Sequence, residues 1–253
     1  MTMKEEIETA VTEAFHKAQD KLLEHTSGSR INTFHVTDFV SPCLRKTWYQ
    51  KRIKKPMGRD VKSILYHGLI VHEHSQLSHF HEVTMCYDIV EDKSYTPQEV
   101  SQMPWQKTLN MITGTLDDLM RVNGEYVIAD KKTWNNKGYV KLTPDEGYIK
   151  QLSIYRVLLE KAYGIDAKWG CLLYLDKTHD LSESPMAFEL DSIEDTKTFL
   201  LKNLKELQGF PDANPCWLCN GKNRQGKIYC PYLEQCTRDG RTDRAETVKI
   251  QVF

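Results

Sequence analysis

The stretch "VIADKKTW", residues 127–134, has the composition of a buried strand except for its charges. The apolar run Val127–Ala129 is followed by an acid, Asp130, and by a lysine two places later, Lys132. Because alternate residues of a strand point to the same side, these two side chains leave the same face of the sheet. Burying unpaired charge costs free energy, so the pair needs a chemical reason to be there.

A second acid lies on the neighbouring strand of a predicted hairpin. Strands are predicted over about 110–121 and 125–133, joined by "VNGE", in which Asn-Gly is a hairpin signal. Asp117, within "GTLDDL", then faces Asp130 across the sheet. Two carboxylates and a lysine on one face indicate a divalent cation, since Mg²⁺ and Mn²⁺ prefer oxygen ligands. The alternative is an exposed hairpin with an ordinary Asp–Lys pair.

Strands and helices alternate along the rest of the chain. Further strands are predicted near 82–90, 168–176, 185–190 and 248–253, and helices over 3–25, 44–52, 61–79, 143–164 and 192–208. Thr143, Pro144 and Glu146 predict a capping box, Gly164 a C-cap, and Asp191 the cap of the last helix. This order predicts an α/β protein with a central mixed β-sheet flanked by helices.

Composition excludes some classes of protein. The 253 residues carry a net charge of −1, so evidence for a nucleic-acid partner has to be local. No apolar run approaches the length of a membrane span, and the N-terminus "MTMKEEIETAVTEAF" is acidic, unlike a signal peptide. We therefore expect a cytoplasmic protein with no membrane contact.

Other motifs accompany the hairpin in a definite order. "HGLIVHE" places His72 four residues after Gly68, and "KQLSIY" places Gln151 and Tyr155 one helical turn apart. Together with "GTLDDL…VNGEYVIADKKTW", these motifs resemble the RecB-like branch of the PD-(D/E)XK nucleases, whose pattern is G-x-x-D followed by D-x-K-T. The similarity spans roughly 37–236.

The resemblance implies a restriction-endonuclease-like core and a role for each matching residue. Catalytic roles fall on five residues: Asp117, Asp130, Lys132, Gln151 and Tyr155. In the family, the glutamine and the tyrosine contact the nucleic acid near the cleaved phosphate. His72 would join the two aspartates in binding Mg²⁺ or Mn²⁺, as one ion or two.

The cysteines form a second candidate metal site. Of seven cysteines, four are arranged as C-x2-C-x10-C-x5-C: Cys216, Cys219, Cys230 and Cys236. In a reducing compartment, such a cluster favours metal binding over disulfides. These four residues could bind structural Zn²⁺ by themselves. Cys86 and Cys171 stand alone in strand-like runs and are interpreted as packing residues.

Cys43, in "SPCLRKTWY", points to iron instead. With the cysteine tail, it resembles the iron–sulfur subgroup, which includes the CRISPR-associated adaptation nucleases and AddB-type nuclease domains. That subgroup implies a 4Fe-4S cluster bound by four of the five cysteines, with either Cys216 or Cys219 to spare. The cluster would join the N-terminal helical part, about 1–80, to the cysteine region 210–236 within one nuclease domain, 1–253.

A basic run suggests where nucleic acid binds. "RKTWYQKRIKK", residues 45–55, combines six Lys and Arg residues with two aromatics. Cations bind phosphates and aromatic rings stack on bases, which suits single-stranded DNA. The predicted contacts are Arg45, Lys46, Trp48, Tyr49, Lys51 and Arg52. The alternative is a solvated basic helix with two anchoring aromatics.

These patterns predict a Mg²⁺- or Mn²⁺-dependent deoxyribonuclease that acts as an exonuclease on single-stranded ends, with endonuclease activity in addition. One alternative is a non-catalytic nucleic-acid-binding or adaptor protein stabilised by a zinc or iron–sulfur cluster. Another is a nuclease subunit that is active only within a CRISPR-adaptation or recombination complex. The oligomeric state is left open by the sequence.

Overall fold

The computed structural model describes most of the chain. The described residues are 12–13, 16–17, 20–21, 33–53, 55, 58–74, 76–134, 143–176, 183–211, 219 and 230–239. Where the helix predicted over 3–25 is described, its residues are helical. The remainder of that helix and the strand predicted over 248–253 lie outside the described residues.

Helices and strands alternate as predicted. The strands are β1 (Phe34–His35), β2 (His81–Asp88), β3 (Lys93–Tyr95), β4 (Met111–Val122), β5 (Glu125–Trp134), β6 (Trp169–Asp176) and β7 (Glu183–Glu189). The helices are α1 (Val36–Phe39), α2 (Leu44–Arg52), α3 (Arg59–His74), α4 (Pro97–Ser101), α5 (Glu146–Tyr163), α6 (Ile193–Gln208) and α7 (Leu233–Arg238). None of the described helices has the length and apolar character needed to cross a membrane.

The described strands form one mixed seven-stranded sheet. Its order is β3-β2-β4-β5-β6-β7, and β1 pairs in parallel with β4 outside this path. The β4–β5 pair is antiparallel, whereas the β5–β6 pair is parallel and needs a crossover, which α5 supplies. The prediction of a central mixed sheet flanked by helices is confirmed.

The hairpin turn between β4 and β5 also follows the prediction. Asn123 and Gly124 have φ values of 51° and 90°, so both adopt the left-handed conformation. Two successive left-handed residues match the right-handed twist of the flanking strands, and asparagine and glycine tolerate this conformation best. The turn therefore sets the register of the two strands that carry the acids.

The predicted ends of two helices need correction. The first intrahelical bonds of α5 run from Tyr148 and Ile149 to the carbonyl of Asp145, so Asp145 is the N-cap and the capping box predicted for Thr143, Pro144 and Glu146 is wrong. The predicted C-cap is confirmed, because Gly164 is left-handed with φ of 67°.

The last long helix, α6, is capped by Ser192 rather than by Asp191. The Ser192 hydroxyl accepts a hydrogen bond from the backbone N–H of Asp195 at 3.1 Å. The carboxylate of Asp191 instead forms an ion pair with Lys150 of α5 at 2.7 Å. The prediction for Asp191 failed because a tertiary partner holds its side chain.

The central helix α5 packs closely on the sheet. Its residues 151–159 are all buried. A Cβ atom on Gly114 of β4 would lie 2.6 Å from a methyl group of Val36 and 2.7 Å from the ring of Tyr155. Only a glycine allows this approach, which explains the glycine of the G-x-x-D pattern. A Cβ atom on Gly68 of α3, in contrast, meets nothing within 4 Å.

We expect Gly114→Ala to lower the free energy of unfolding by about 1–3 kcal/mol through overpacking. The matched control is Gly68→Ala, which should raise it by about 0.5–1 kcal/mol, because alanine is the better helix former and has open space there. Denaturant unfolding of both variants measures the difference. Equal stability of the Gly114→Ala variant and the parent would contradict the close approach.

Candidate active site

Two carboxylates lie side by side where β4 and β5 separate. The last antiparallel pair of the hairpin joins Asp118 to Ala129, so Asp117 and Asp130 are the next positions in that register. The Asp117 carboxylate accepts a hydrogen bond from the backbone N–H of Lys131 at 3.0 Å. At this point the side chain of Asp117, rather than the backbone of β4, accepts the hydrogen bond from β5. Asp117 is partly open, whereas Asp130 is buried.

Two further ligand groups approach Asp117 from α3 and β2. The ring Nδ1 of His72 lies 3.1 Å from Asp117 Oδ2. Glu82 lies between the β2–β4 pairs that His81 and Val83 form, and is therefore opposite Asp117. Single ligand atoms of His72, Glu82 and Asp117 all lie within 4.8 Å of one another.

Glu82 was missed by the sequence analysis. It lies at the edge of a predicted strand with no motif around it, and its neighbourhood depends on the pairing of β2 with β4. Its backbone is left-handed with φ of 52°, an arrangement that costs about 1–3 kcal/mol and is concentrated at functional sites.

The ionisation of the two aspartates differs because their surroundings differ. Burial raises the pKa of Asp130 to about 6, with the charge of Lys132 acting against it. Burial also acts to raise the pKa of Asp117, but the hydrogen bond from His72 and the positive charge of that ring outweigh it and lower the pKa. The same hydrogen bond raises the pKa of His72.

The lysine of the motif stays charged beside the acids. Lys132 Nζ lies 2.6 Å from Asp130 Oδ2. Burial acts to lower the pKa of Lys132, but the negative charge of Asp130 raises the pKa overall. Burial and the nearby charge of Asp117 raise the pKa of Glu82. His72, Glu82 and Asp117 form a ligand group that fits Mg²⁺ or Mn²⁺, and Asp130 lies on the next strand in contact with Lys132.

A model of the PD-(D/E)XK nuclease superfamily matches residues 5–237. The chain belongs to this superfamily. PD-(D/E)XK nucleases use divalent metals, in keeping with the hard ligands around Asp117. No curated protein matches the sequence significantly.

A solved structure shares the fold of this chain. The crystal structure of SSO0001 is 24% identical, covers 90% of this chain and 97% of its own, and gives a TM-score of 0.57. An alkaline exonuclease from Laribacter hongkongensis is 14% identical, with 73% of this chain and 92% of that one covered and a TM-score of 0.39. The complex of that exonuclease with dAMP is also 14% identical. The comparison covers 71% of this chain and 89% of that one and gives a TM-score of 0.41. Scores below 0.5 are too low to bear on function.

Gln151 and Tyr155 of the nuclease have different surroundings. The Tyr155 ring is buried against Gly114. Gln151 is 5% exposed and lines an open pocket of about 670 Å³ between α2 and the start of α5. Tyr148 lines the same pocket, and Lys132 Nζ lies 4.9 Å from the centre of its ring. The pocket therefore begins beside the lysine of the D-x-K motif.

Of the residues predicted to contact DNA, two are buried and the others are more accessible. Arg45 is buried, donates to the carbonyl of Pro211 at 2.6 Å and lies over the Phe210 ring. Tyr49 is buried and donates to Asp239 at 2.6 Å. Both side chains hold the protein together, and the prediction that they contact DNA is corrected accordingly.

The remaining members of the basic run are more accessible. Lys46 is half-buried and lines the pocket beside Gln151. Lys51 also lines it, paired with Asp38 at 2.7 Å. Arg52 is exposed, with its guanidinium 4.1 Å from the centre of the Trp48 ring.

The described cysteines near the chain ends lie together. Cys43, Cys219, Cys230 and Cys236 are all buried. Burial raises the pKa of Cys230, and the neighbouring thiols of Cys219 and Cys43 raise it further. Cys236 accepts a hydrogen bond from Arg45 at 3.9 Å. Cys216 lies outside the described residues.

The isolated cysteines are strand residues. Cys86 is buried in β2, where burial raises the pKa of its thiol to about 11. Cys171 is half-buried in β6, and burial raises its pKa as well. Both therefore stay interpreted as packing residues.

We expect Glu82→Gln to weaken Mn²⁺ binding by about ten- to hundredfold, since an amide is a poorer ligand and a weaker organiser of the site than a carboxylate. The matched control is Glu125→Gln, an exposed position in the hairpin. Electron paramagnetic resonance of free Mn²⁺, titrated with metal-free protein, reports the affinity without any DNA. Unchanged affinity in the Glu82→Gln variant would remove this residue from the site.

Proposed function

We propose that this nuclease hydrolyses DNA from single-stranded ends with Mg²⁺ or Mn²⁺, and also cuts internally in the same kind of strand. The observation that carries the proposal is the convergence of His72, Asp117, Asp130 and Lys132 from three separate elements. A solvated hairpin with an ordinary ion pair would not place a histidine from α3 at 3.1 Å from Asp117.

His72, Asp117 and Asp130 would hold the cation, with Glu82 as an additional carboxylate. When bound, the ion would supply positive charge to the scissile phosphate and lower the pKa of a bound water. Lys132 would orient the attacking water or stabilise the negative charge that builds up on the phosphate. Cleavage of the bond from phosphorus to the 3′ oxygen would leave a 3′-hydroxyl and a 5′-phosphate.

The pocket beside Lys132 supports a single-stranded substrate. Its volume of about 670 Å³ is in the range of small-ligand pockets, so it suits unpaired nucleotides rather than both strands of a duplex. The Tyr148 ring offers a stacking surface at one end. The Gln151 amide, without a hydrogen-bond partner among the described residues, would donate or accept at the base or sugar.

The outer part of the same surface would follow the DNA backbone. Lys46 and Lys51 line the pocket, and the exposed Arg52 of the same helix stacks on Trp48. Cations of this kind bind phosphates without regard to sequence. We therefore assign backbone contacts to these side chains and leave Arg45 and Tyr49 to the protein core.

We further propose a 4Fe-4S cluster bound by Cys43 and three of the tail cysteines. The thiols of Cys43, Cys219 and Cys230 lie close enough to act on one another, since the first two raise the pKa of the third. The closeness of Cys43 to the tail cysteines supports a shared metal cluster, and the resemblance to the iron–sulfur subgroup favours 4Fe-4S over zinc. By the same resemblance, the protein would act in a setting like that of the CRISPR-associated or recombination nucleases.

We expect Asp130→Ala and Lys132→Ala to lower cleavage of end-labelled single-stranded DNA at least a hundredfold, because each removes a group that acts on the transition state. The matched control is Lys107→Ala, an exposed position in the helical turn that precedes β4. The parent should degrade single-stranded ends faster than blunt duplex. Parental rates in either site variant would show the site to be misassigned, and equal rates on duplex would exclude single-strand preference.

We expect Cys43→Ser to lose iron and to melt at a lower temperature, because the cluster would close a loop between the chain ends worth about 4–5 kcal/mol. Cys86→Ser and Cys171→Ser should keep the iron. Iron content and melting temperature of anaerobically prepared proteins decide between the outcomes. Full iron in the Cys43→Ser variant would exclude Cys43 as a ligand, and tightly bound zinc in place of iron would favour a structural zinc site.

A further inference from the structure

A second acid–lysine pair lies beside the catalytic one and has no part in the proposed chemistry. Asp118 and Lys131 are 0% and 1% exposed, and Lys131 Nζ lies 2.9 Å from Asp118 Oδ2. The contact is a close ion pair rather than an aligned hydrogen bond. A pair so deeply buried costs free energy unless hydrogen bonds satisfy its remaining positions.

The other oxygen of Asp118 binds the connection between α3 and β2. Asp118 Oδ1 accepts hydrogen bonds from the backbone N–H groups of Leu77 at 2.9 Å and Ser78 at 3.0 Å. The hydroxyl of Ser78 lies 3.4 Å from the same oxygen. One carboxylate therefore holds two successive N–H groups of a segment more than thirty residues away in sequence.

This connection carries a metal-binding residue at each end. His72 lies in the last turn of α3, before the connection, and Glu82 lies near the start of β2, after it. The backbone of His81 pairs with Asp118 itself. Both the entry into β2 and the exit from α3 are thus fixed at Asp118.

The first half of α3 contributes little packing against the sheet. The side chains of Val61, Ile64 and Leu65 there are exposed, whereas Leu69, Ile70 and Val71 in the second half are partly buried. The left-handed conformation of Glu82 also costs free energy and persists only where its surroundings impose it.

We propose that Asp118 is a positioning residue for the metal centre. Asp118 holds the α3–β2 connection on β4, so that His72 and Glu82 lie beside Asp117. Lys131 compensates the negative charge of Asp118. Asp118 touches neither metal nor DNA in this role. The inference rests on the proposed metal-dependent function and adds to it a part of the protein that prepares the site before substrate binds.

Two double variants separate positioning from the burial of charge. Asp118→Asn with Lys131→Met removes both charges but keeps a side-chain oxygen that can accept from Leu77 and Ser78. Asp118→Ala with Lys131→Met removes both charges and the acceptor. We expect the first to bind Mn²⁺ within about threefold of the parent and the second to bind about ten- to hundredfold more weakly, as when a group that orients metal ligands is lost.

The measurements are Mn²⁺ affinity of metal-free protein without DNA, melting temperature, and nuclease rate against Mn²⁺ concentration. Rates of the alanine variant should recover at high Mn²⁺, because its ligands are intact but less well placed. Equal Mn²⁺ affinity of the two double variants would overturn the inference. Failure of the parent to bind Mn²⁺ or to cut DNA would instead overturn the proposed function.

A milder variant covers the case in which the alanine variant does not fold. Ser78→Ala removes one hydroxyl that bonds within the connection and to Asp118. It should weaken Mn²⁺ binding by a few fold without a large change in melting temperature. The matched control is Ser101→Ala, whose hydroxyl donates only to the carbonyl of Gln98. Identical Mn²⁺ affinity of these two variants would also overturn the inference.

Discussion

The ion pair between Asp118 and Lys131 lies out of water, where two opposite charges persist only if their other hydrogen-bonding positions are filled. On the Asp118 side, the backbone N–H groups of Leu77 and Ser78 donate to Oδ1, in the connection that follows α3. The chain can then leave that helix at only one place relative to β4. Because the imidazole and the extra carboxylate of the candidate site lie on either side of this connection, their positions depend on the buried pair.

Successive residues of the β4–β5 hairpin point to opposite sides of the sheet and differ in burial. Asp117 faces the imidazole of α3 and remains partly open, whereas Asp118 is enclosed. On β5, Lys131 is enclosed and Lys132 lies beside the pocket. A strand turns successive side chains to opposite sides, so one short segment can hold a reactive site on one side and its support on the other. Removing either partner of the support would leave a buried charge unpaired.

The helix α2 and the segment around α7 are joined by aromatic and thiol side chains rather than by the main sheet. Tyr49 of α2 stacks on Tyr232, with ring centres 5.6 Å apart, and packs with Cys230 and Cys236. The basic run that suggested DNA binding therefore has two faces. One face, with Arg45 and Tyr49, closes the protein on itself, and the other remains available to a ligand. A helix can have two such faces because residues three or four apart, such as Arg45 and Tyr49, lie on the same side, whereas the residues between them point elsewhere.

Local sequence patterns determined the five long strands, the Asn-Gly turn, the glycine cap of α5 and the closeness of Asp117 and Asp130, because turn conformation and strand periodicity depend on neighbouring residues alone. The short strands β1 and β3 were not predicted. Tertiary structure decided what local patterns do not contain. Glu82 became part of the site through the pairing of β2 with β4, and α3 ended earlier than its apolar pattern predicts because Asp118 takes the next N–H groups. The sequence does not show which opposite charge an acid or a lysine will pair with, because burial and strand register determine the partner.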